Sequence, residues 1–359
     1  MKTFIKNILF ISVCIIIGCV NIKNGGNNKN TLAQTSTSSA PPENQTWQDT
    51  IADITGKIFL GTEQGAVFYA FDTLAHPHEP INLTCRLRHV KLLHDIPDAT
   101  IAYYLNSHLI DIAQTDQNGF AAISWTPPAA QDYLFTLKIA EIPENQDQKI
   151  LKIDPVPLLV AARDISAPFV VIDLDHTVVD SSFFRVLLGG GKPMTDSVNI
   201  TKKIAQKYSL IYLTHRPDLM TLTSKSWLRN HGFPPAPLLV SELKQALGSS
   251  GDFKSAKIAE LQKSFPNLKI GIGDKLSDAQ AYVDNGMTAY LIPHYRQKPG
   301  DMLEMALHIR NLQDRGRLQV VSGWRQIDAG IFHGKKYPPA AFADWLEKQA
   351  RLLENMNDD

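Results

Sequence analysis

Two aspartates stand two residues apart in the string Asp173-Leu174-Asp175-His176-Thr177, immediately after the apolar run Phe169-Val170-Val171-Ile172. If the extended chain continues through them, both carboxylates point the same way, and their repulsion is costly unless a cation lies between them. A hard divalent ion such as Mg²⁺ relieves it through oxygen ligands. Further groups follow in the order such a site needs. Thr214 comes after the apolar stretch 210–213, Lys254 opens a helical stretch at 255–265, and Gly273-Asp274-Lys275-Leu276-Ser277-Asp278 comes after the stretch 269–272. The helix dipole disfavours a lysine at a helix amino terminus, so a nearby anion would account for Lys254. Lys257, in the same helical stretch, is its rival for that role.

These residues need a scaffold that brings their segments to one edge. The runs 169–172, 210–213, 269–272 and 289–292 are apolar on both faces and alternate with helical stretches, which predicts a parallel sheet covered on both sides. Open sheets of this kind bind ligands beyond the carboxyl ends of their strands. Gly232 and Gly286 fall where helices should stop, and residues 300–359 read as helices closing the domain. Upstream the period changes to two. Ile81, Leu83, Cys85 and Leu87 alternate with polar residues, as do Tyr133, Phe135, Leu137 and Ile139, with turn strings such as Asp116-Gln117-Asn118-Gly119 between them. This predicts a small all-β sandwich over residues 49–166, immunoglobulin-like in pattern, with Cys85 as a core residue. His76, His78, His89 and His94 make no metal-ligand spacing and read as solvated or core side chains.

The four elements of residues 169–293 resemble the signature motifs of the haloacid dehalogenase (HAD) superfamily of phosphotransferases. Tyr212-Leu213-Thr214-His215-Arg216-Pro217, Phe253-Lys254-Ser255-Ala256, Phe265-Pro266 and the string from Gly271 to Ala279 are similar to the catalytic domain of lipin-type (lipin/Ned/Smp) phosphatidate phosphatases. His176 stands where lipins usually carry glycine, and Asp274 where they often carry asparagine. The Asp-Leu-Asp-His-Thr string also resembles phosphatases acting on phosphorylated proteins. The resemblance implies a capless Rossmann-like HAD domain over 167–359 and a Mg²⁺-dependent phosphomonoester hydrolase. In it Asp173 is the nucleophile, Asp175 the general acid and base, and Thr214 and Lys254 the phosphoryl ligands. Asp173, the Asp175 carbonyl and Asp274 hold the metal, with Asp278 as a ligand or just behind one, while Thr177 shapes the turn. The implied substrate is phosphatidate or another lipid phosphate. The alternatives are a phosphoprotein, nucleotide or polynucleotide phosphatase of the same fold and, from a different class, a non-catalytic phosphate-binding surface module.

Segment lengths bear on the substrate. About twenty residues lie between Asp175 and the next helical stretch, and the forty or so between Thr214 and Lys254 are consumed by a helix and a strand, leaving no room for a large cap. Capless members of the superfamily have open sites suited to macromolecular or membrane-embedded substrates. Gly189-Gly190-Gly191-Lys192 reads as either a small flap or a plain turn.

The first residues read as an address. Lys2 and Lys6 precede the apolar run 8–17, the n-region and h-region of a secretory signal. Ile16-Ile17-Gly18-Cys19 resembles a bacterial lipobox, which implies cleavage before Cys19 and its acylation. Acyl chains at ~0.8 kcal/mol per buried methylene would hold the protein on a membrane. Val20, rather than aspartate, follows Cys19 and resembles the sorting of lipoproteins to an outer membrane where there are two. The expected location is therefore the bacterial cell envelope, extracytoplasmic and lipid-anchored, on the periplasmic face of that outer membrane. Residues 20–48, rich in Asn, Gly, Ser and Thr, read as a flexible linker. With 359 residues, two domains are expected at ~150 residues each. Lys plus Arg and Asp plus Glu both total 36, so no bulk charge argues for nucleic acid as a partner.

Overall fold

Alternation of apolar residues along short strands builds the first half of the described chain. The computed structural model describes residues 65–355 apart from 91–92, 182–190, 243–245 and 247. The signal, Cys19, the linker and Gly189-Gly190 of the glycine run lie outside these residues, as does the start of the expected sandwich. Eight strands follow: β1 (Ala66–Ala70), β2 (Thr73–Ala75), β3 (Ile81–His89), β4 (Thr100–Leu105), β5 (His108–Gln114), β6 (Phe120–Trp125), β7 (Asp132–Glu141) and β8 (Val156–Ala162). They form two sheets, ordered β1-β3-β6 and β2-β8-β7-β4-β5. All pairings are antiparallel except β2 with β8. Inward residues of both sheets, including Leu83, Leu87, Phe135 and Leu137, share one core, and Cys85 is buried there with its thiol against the Tyr103 hydroxyl. The period-two reading of 81–87 and 133–139 therefore matches β3 and β7.

The second half is an α/β unit. Its strands are β9 (Phe169–Ile172), β10 (Ser209–Pro217), β11 (Leu238–Ser241), β12 (Leu268–Gly273), β13 (Thr288–Leu291) and β14 (Leu318–Val320). Its helices are α1 (Ser197–Ala205), α2 (Thr221–Asn230), α3 (Ser250–Ser264), α4 (Leu276–Asp284), α5 (Pro299–Asn311), α6 (Trp324–His333) and α7 (Pro339–Asn355). The sheet is parallel throughout and ordered β11-β10-β9-β12-β13-β14. The residues of β9 alternate between the two faces: Phe169 and Val171 join the cluster beneath α3, α4, α5 and α7, whereas Val170 and Ile172 join the one beneath α1, α2 and α6. Both faces are covered, as apolar runs without alternation require.

Three expectations need correction. Residues 300–359 are not helices alone: β14 interrupts them, a strand of three residues and too short to leave a period in the sequence. Thr214 does not follow its strand but lies inside it, because β10 runs on to Pro217. Lys254 does not open its helix. Ser249 accepts a hydrogen bond from the Asp252 amide and starts α3 at Ser250, so Lys254 sits one turn inside.

The described residues fall within one compact unit, and buried polar contacts join its halves. The Asp72 carboxylate accepts from the amides of Leu159 and Leu238 and from Lys225 Nζ. His76 stacks on Phe265, with its ring nitrogens against the carbonyls of Arg163 and Ser264. No helix among the described residues is long and apolar enough to cross a membrane.

Candidate functional site

Strand order determines where the carboxylates meet. After β9 the chain adds β10 and β11 on one side and β12, β13 and β14 on the other, so β9 and β12 flank the point where the order reverses. Ile172 pairs with Ile272, and the Asp173 amide donates to the Ile272 carbonyl at 2.9 Å. Asp173 and Asp274 consequently leave adjacent strands side by side at the carboxyl edge.

The remaining members arrive on helices. Gly271 leaves space that the Tyr282 ring of α4 fills: a Cβ at 271 would lie 2.2 Å from that ring. The helix can therefore lie close against β12 and carry Asp278 to the strand end. Gly251 in the first turn of α3 does the same against Ser277, where a Cβ would come within 2.9 Å of the serine Cβ. The two helix starts thus touch, Ser250 Oγ donates to Asp278 Oδ1 at 3.1 Å, and Lys254 turns inward. Its fully buried ammonium contacts Asp173 Oδ1 at 2.8 Å and Asp278 Oδ2 at 2.5 Å. Lys257, by contrast, pairs with Glu260 on the exposed side of α3. Of the two lysines named from the sequence, Lys254 is the one that lies among the aspartates.

Asp173, Asp274 and Asp278 offer oxygens that all lie within 4.8 Å of one another. Three carboxylates beside one buried ammonium leave surplus negative charge. Burial, with repulsion from Asp278 and Asp175, pushes the Asp173 carboxyl up to about 6 against the pull of Lys254. Burial and then repulsion from Asp173 and Asp278 raise Asp274 to about 8. Burial alone would lower the Lys254 pKa, but Asp173 and Asp278 outweigh it and hold the ammonium well above its ordinary value. Asp274 Oδ1 is buried without a hydrogen-bond partner. A buried, unpartnered carboxylate oxygen in a cluster of excess negative charge fits a hard divalent cation.

Asp175 is held by an arginine. Arg216 grips its carboxylate with Nη2 on Oδ1 at 2.7 Å and Nε on Oδ2 at 3.0 Å, while Nη1 reaches Ser224 Oγ. The Arg216 side chain is 1% exposed, and a two-pronged pair of this kind fixes orientation as well as charge. In the sequence Arg216 stands only as one residue of the string Tyr212-Leu213-Thr214-His215-Arg216-Pro217. Its partner is 41 residues away, so the signal was an arginine two positions past Thr214 and nothing more. Thr214 is buried on β10, beside β9, with its Oγ1 accepting from the Arg216 amide.

The turn after Asp175 is held firmly. The Leu174 carbonyl accepts from the amides of Thr177, Val178 and Val179, and the Trp324 indole donates to the Thr177 carbonyl at 2.8 Å. That contact gives Trp324 a task the sequence did not reveal. His176 occupies a left-handed conformation, φ 54°, and its ring lies edge-on to His294, 4.4 Å between centroids. Burial lowers the pKa of both rings. His294, beyond β13, was also missed in sequence.

Residues 170–292, about a third of the chain, match the family model described as PITM 1-3, LNS2 domain. The match supports a lipin-type relation and a HAD-like phosphatase fold for this segment. None of the curated proteins compared with the chain matches it. Among solved structures, the D0-D1 domain of intimin is similar at 15% identity over 28% of this chain and 50% of its own, with a TM-score of 0.21. The structure of the Pnkp1/Rnl/Hen1 RNA repair complex is similar at 16% identity over 44% of this chain and 58% of its own, TM-score 0.33. The Lin-41 filamin domain gives 14% identity over 28% and 92%, TM-score 0.17. The chain spans about half the length of the first two, and scores this low carry no argument.

Proposed function

We propose that this chain is a Mg²⁺-dependent phosphomonoester hydrolase acting through an aspartyl-phosphate on Asp173, that its substrate is a lipid phosphate such as phosphatidate, and that an acylated Cys19 holds it on an envelope membrane. The observation that carries the chemistry is the buried Asp173–Lys254 pair beside Asp274 and Asp278 at the edge where the strand order reverses.

Each residue is assigned one task. Asp173, with Oδ1 oriented by Lys254, attacks phosphorus. The ester oxygen departs with a proton from Asp175, and a carboxylate–phosphoryl bond replaces the ester bond. Water then attacks that phosphorus, gives its proton to Asp175 and releases phosphate, which restores Asp173. Arg216 keeps the Asp175 carboxylate aimed through both steps. A lysine ammonium has three donors; Asp173 and Asp278 take two of them from Lys254, and the third, with the Thr214 hydroxyl, serves a phosphoryl oxygen. Asp173, Asp274 and Asp278 would hold Mg²⁺, with the Asp175 carbonyl as a further ligand; when bound it supplies charge neutralisation for the transferring group.

The lipid substrate draws on the lipobox-like sequence at Cys19 and on short connections that leave the site without a large cap. The domain division belongs to the same proposal: an immunoglobulin-like sandwich over 49–166 before a phosphatase domain over 167–359. The test is phosphate release by the full chain from phosphatidate in mixed micelles, set against para-nitrophenyl phosphate. Preference for the lipid is expected. Turnover of the soluble ester alone would discard the lipid and keep the hydrolase, whereas turnover of neither would discard both.

A further inference from the structure

The stretch that carries Thr214 and Arg216 is poorly held by its own sheet. Pairing of β10 with β9 ends at Tyr212, and its pairing with β11 is irregular between Leu213 and Pro217. Beyond Tyr212 the chain is fastened from its flanks. On one side Ser241 Oγ donates to the carbonyls of His215 and Arg216. On the other stands Asp218, in the short turn Asp218–Met220, fully buried. Its Oδ1 accepts from the Leu219 amide within the turn, and its Oδ2 turns out of the α/β unit altogether. There it accepts from Tyr69 Oη at 2.8 Å and Arg86 Nη1 at 3.4 Å, both from the β-rich region.

Those two donors are themselves rigid. Arg86 is fixed by Asp95 and the Asn118 carbonyl and lies 4.3 Å over the Phe120 ring. Tyr69, on β1, is fully buried and packs with Val67 and Val90 against Leu219, next to Asp218. Burial, reinforced by Asp218, raises the Tyr69 phenol far above its ordinary value, so the proton stays on the tyrosine and the hydroxyl donates.

We propose that Tyr69 and Arg86 are positioning residues for the site: by holding Asp218 they fix the segment bearing Thr214 and Arg216, and through Arg216 the Asp175 carboxylate. The β-rich region is then part of the catalytic apparatus and not an appended module. This inference rests on the roles proposed above for Asp175 and Thr214. A second link between the regions supplies the control. Lys225, on α2, donates to the Asp72 carboxylate and to the carbonyls of Ala70 and Pro157, none of them a residue of the site.

The experiment compares Tyr69→Phe, Tyr69→Phe/Arg86→Met and Lys225→Met in the full chain, with para-nitrophenyl phosphate and Mg²⁺. The Tyr69 and Arg86 variants are expected to lose about tenfold in kcat, with KM changed less than about twofold, as follows when catalytic groups are misplaced by a distant change. Lys225→Met is expected to lower the melting temperature at least as much while kcat holds. A second readout does not need turnover. In protein labelled with ¹⁵N-arginine, the Arg216 Nε–H should be protected from exchange in the wild type and in Lys225→Met, and lose that protection in the double variant. An Arg216 signal that does not move, or a kcat loss matched by Lys225→Met, would overturn the inference. Absence of turnover in the wild type would instead sink the proposed activity, and the Arg216 signal would still decide whether the β-rich region holds this segment.

Discussion

Asp72 and Asp218, at the junction of the two regions, are buried as deeply as Asp173, Asp274 and Asp278 at the sheet edge, yet their surroundings differ in kind. Each junction carboxylate has a cation and further donors of its own: Lys225 and two backbone amides for Asp72, Arg86, Tyr69 and a backbone amide for Asp218. At the sheet edge three carboxylates share one buried lysine, and Asp274 Oδ1 has no partner. Burying a carboxylate is tolerable when its charge and lone pairs are met, so the junction reads as structure. Unmet negative charge persists only where a positive charge supplies the balance, so the edge reads as a site that could hold a cation.

The sharpest way to break this contrast is to remove one charge from each region. Asp173→Asn should cut phosphatase activity by more than about a thousandfold, because the carboxylate proposed to attack phosphorus is gone. Its melting temperature should stay level or rise, since a repelling charge is gone. Asp72→Ala should do the reverse. It strands Lys225 and two amides in the junction and should cost about 3–5 kcal/mol in denaturant unfolding. If Asp173→Asn proved the more destabilising of the two, the contrast would fail.

A smaller effect sharpens the account of the edge. The carboxyls of Asp173 and Asp274 are raised to about 6 and about 8 from 3.8, so between those limits the folded chain binds more protons than the unfolded one. Metal-free stability therefore declines as pH climbs from the unfolded value through the folded ones. A divalent cation favours the ionised forms and offsets their repulsion, so the gain in melting temperature from Mg²⁺ over EDTA should be greater at about pH 8.5 than at about pH 5.5. A gain independent of pH would contradict the charge assignment. The smallest effect belongs to Lys257: Lys257→Ala should change activity less than about twofold and stability by no more than about 0.5 kcal/mol, as a solvent-side pair allows.

Much of the edge was legible in sequence because it is built from local order. Asp173, Asp274 and Asp278 each follow an apolar run or open the next helix, and parallel topology does the rest. The junction was not legible. Asp72 meets partners 87, 153 and 166 residues away, and Tyr69 meets Asp218 at a separation of 149, distances at which a single sequence carries no period or motif. The pairing of Arg216 with Asp175 was hidden for the same reason. The misplaced start of α3 is a different failure: Ser249-Ser250-Gly251-Asp252 has the spacing of a capped helix start, and Ser249 does cap the helix.

The central claim is that Asp173 bears the phosphoryl group during turnover. Acid quenching of the full chain in steady state with Mg²⁺ and phosphatidate, followed by peptide mass spectrometry, tests it directly. The account predicts one phosphoryl group on the peptide containing Asp173, absent with EDTA and absent in Asp173→Asn. Continued phosphate release by Asp173→Asn, or a phosphoryl group on any other residue, would contradict it.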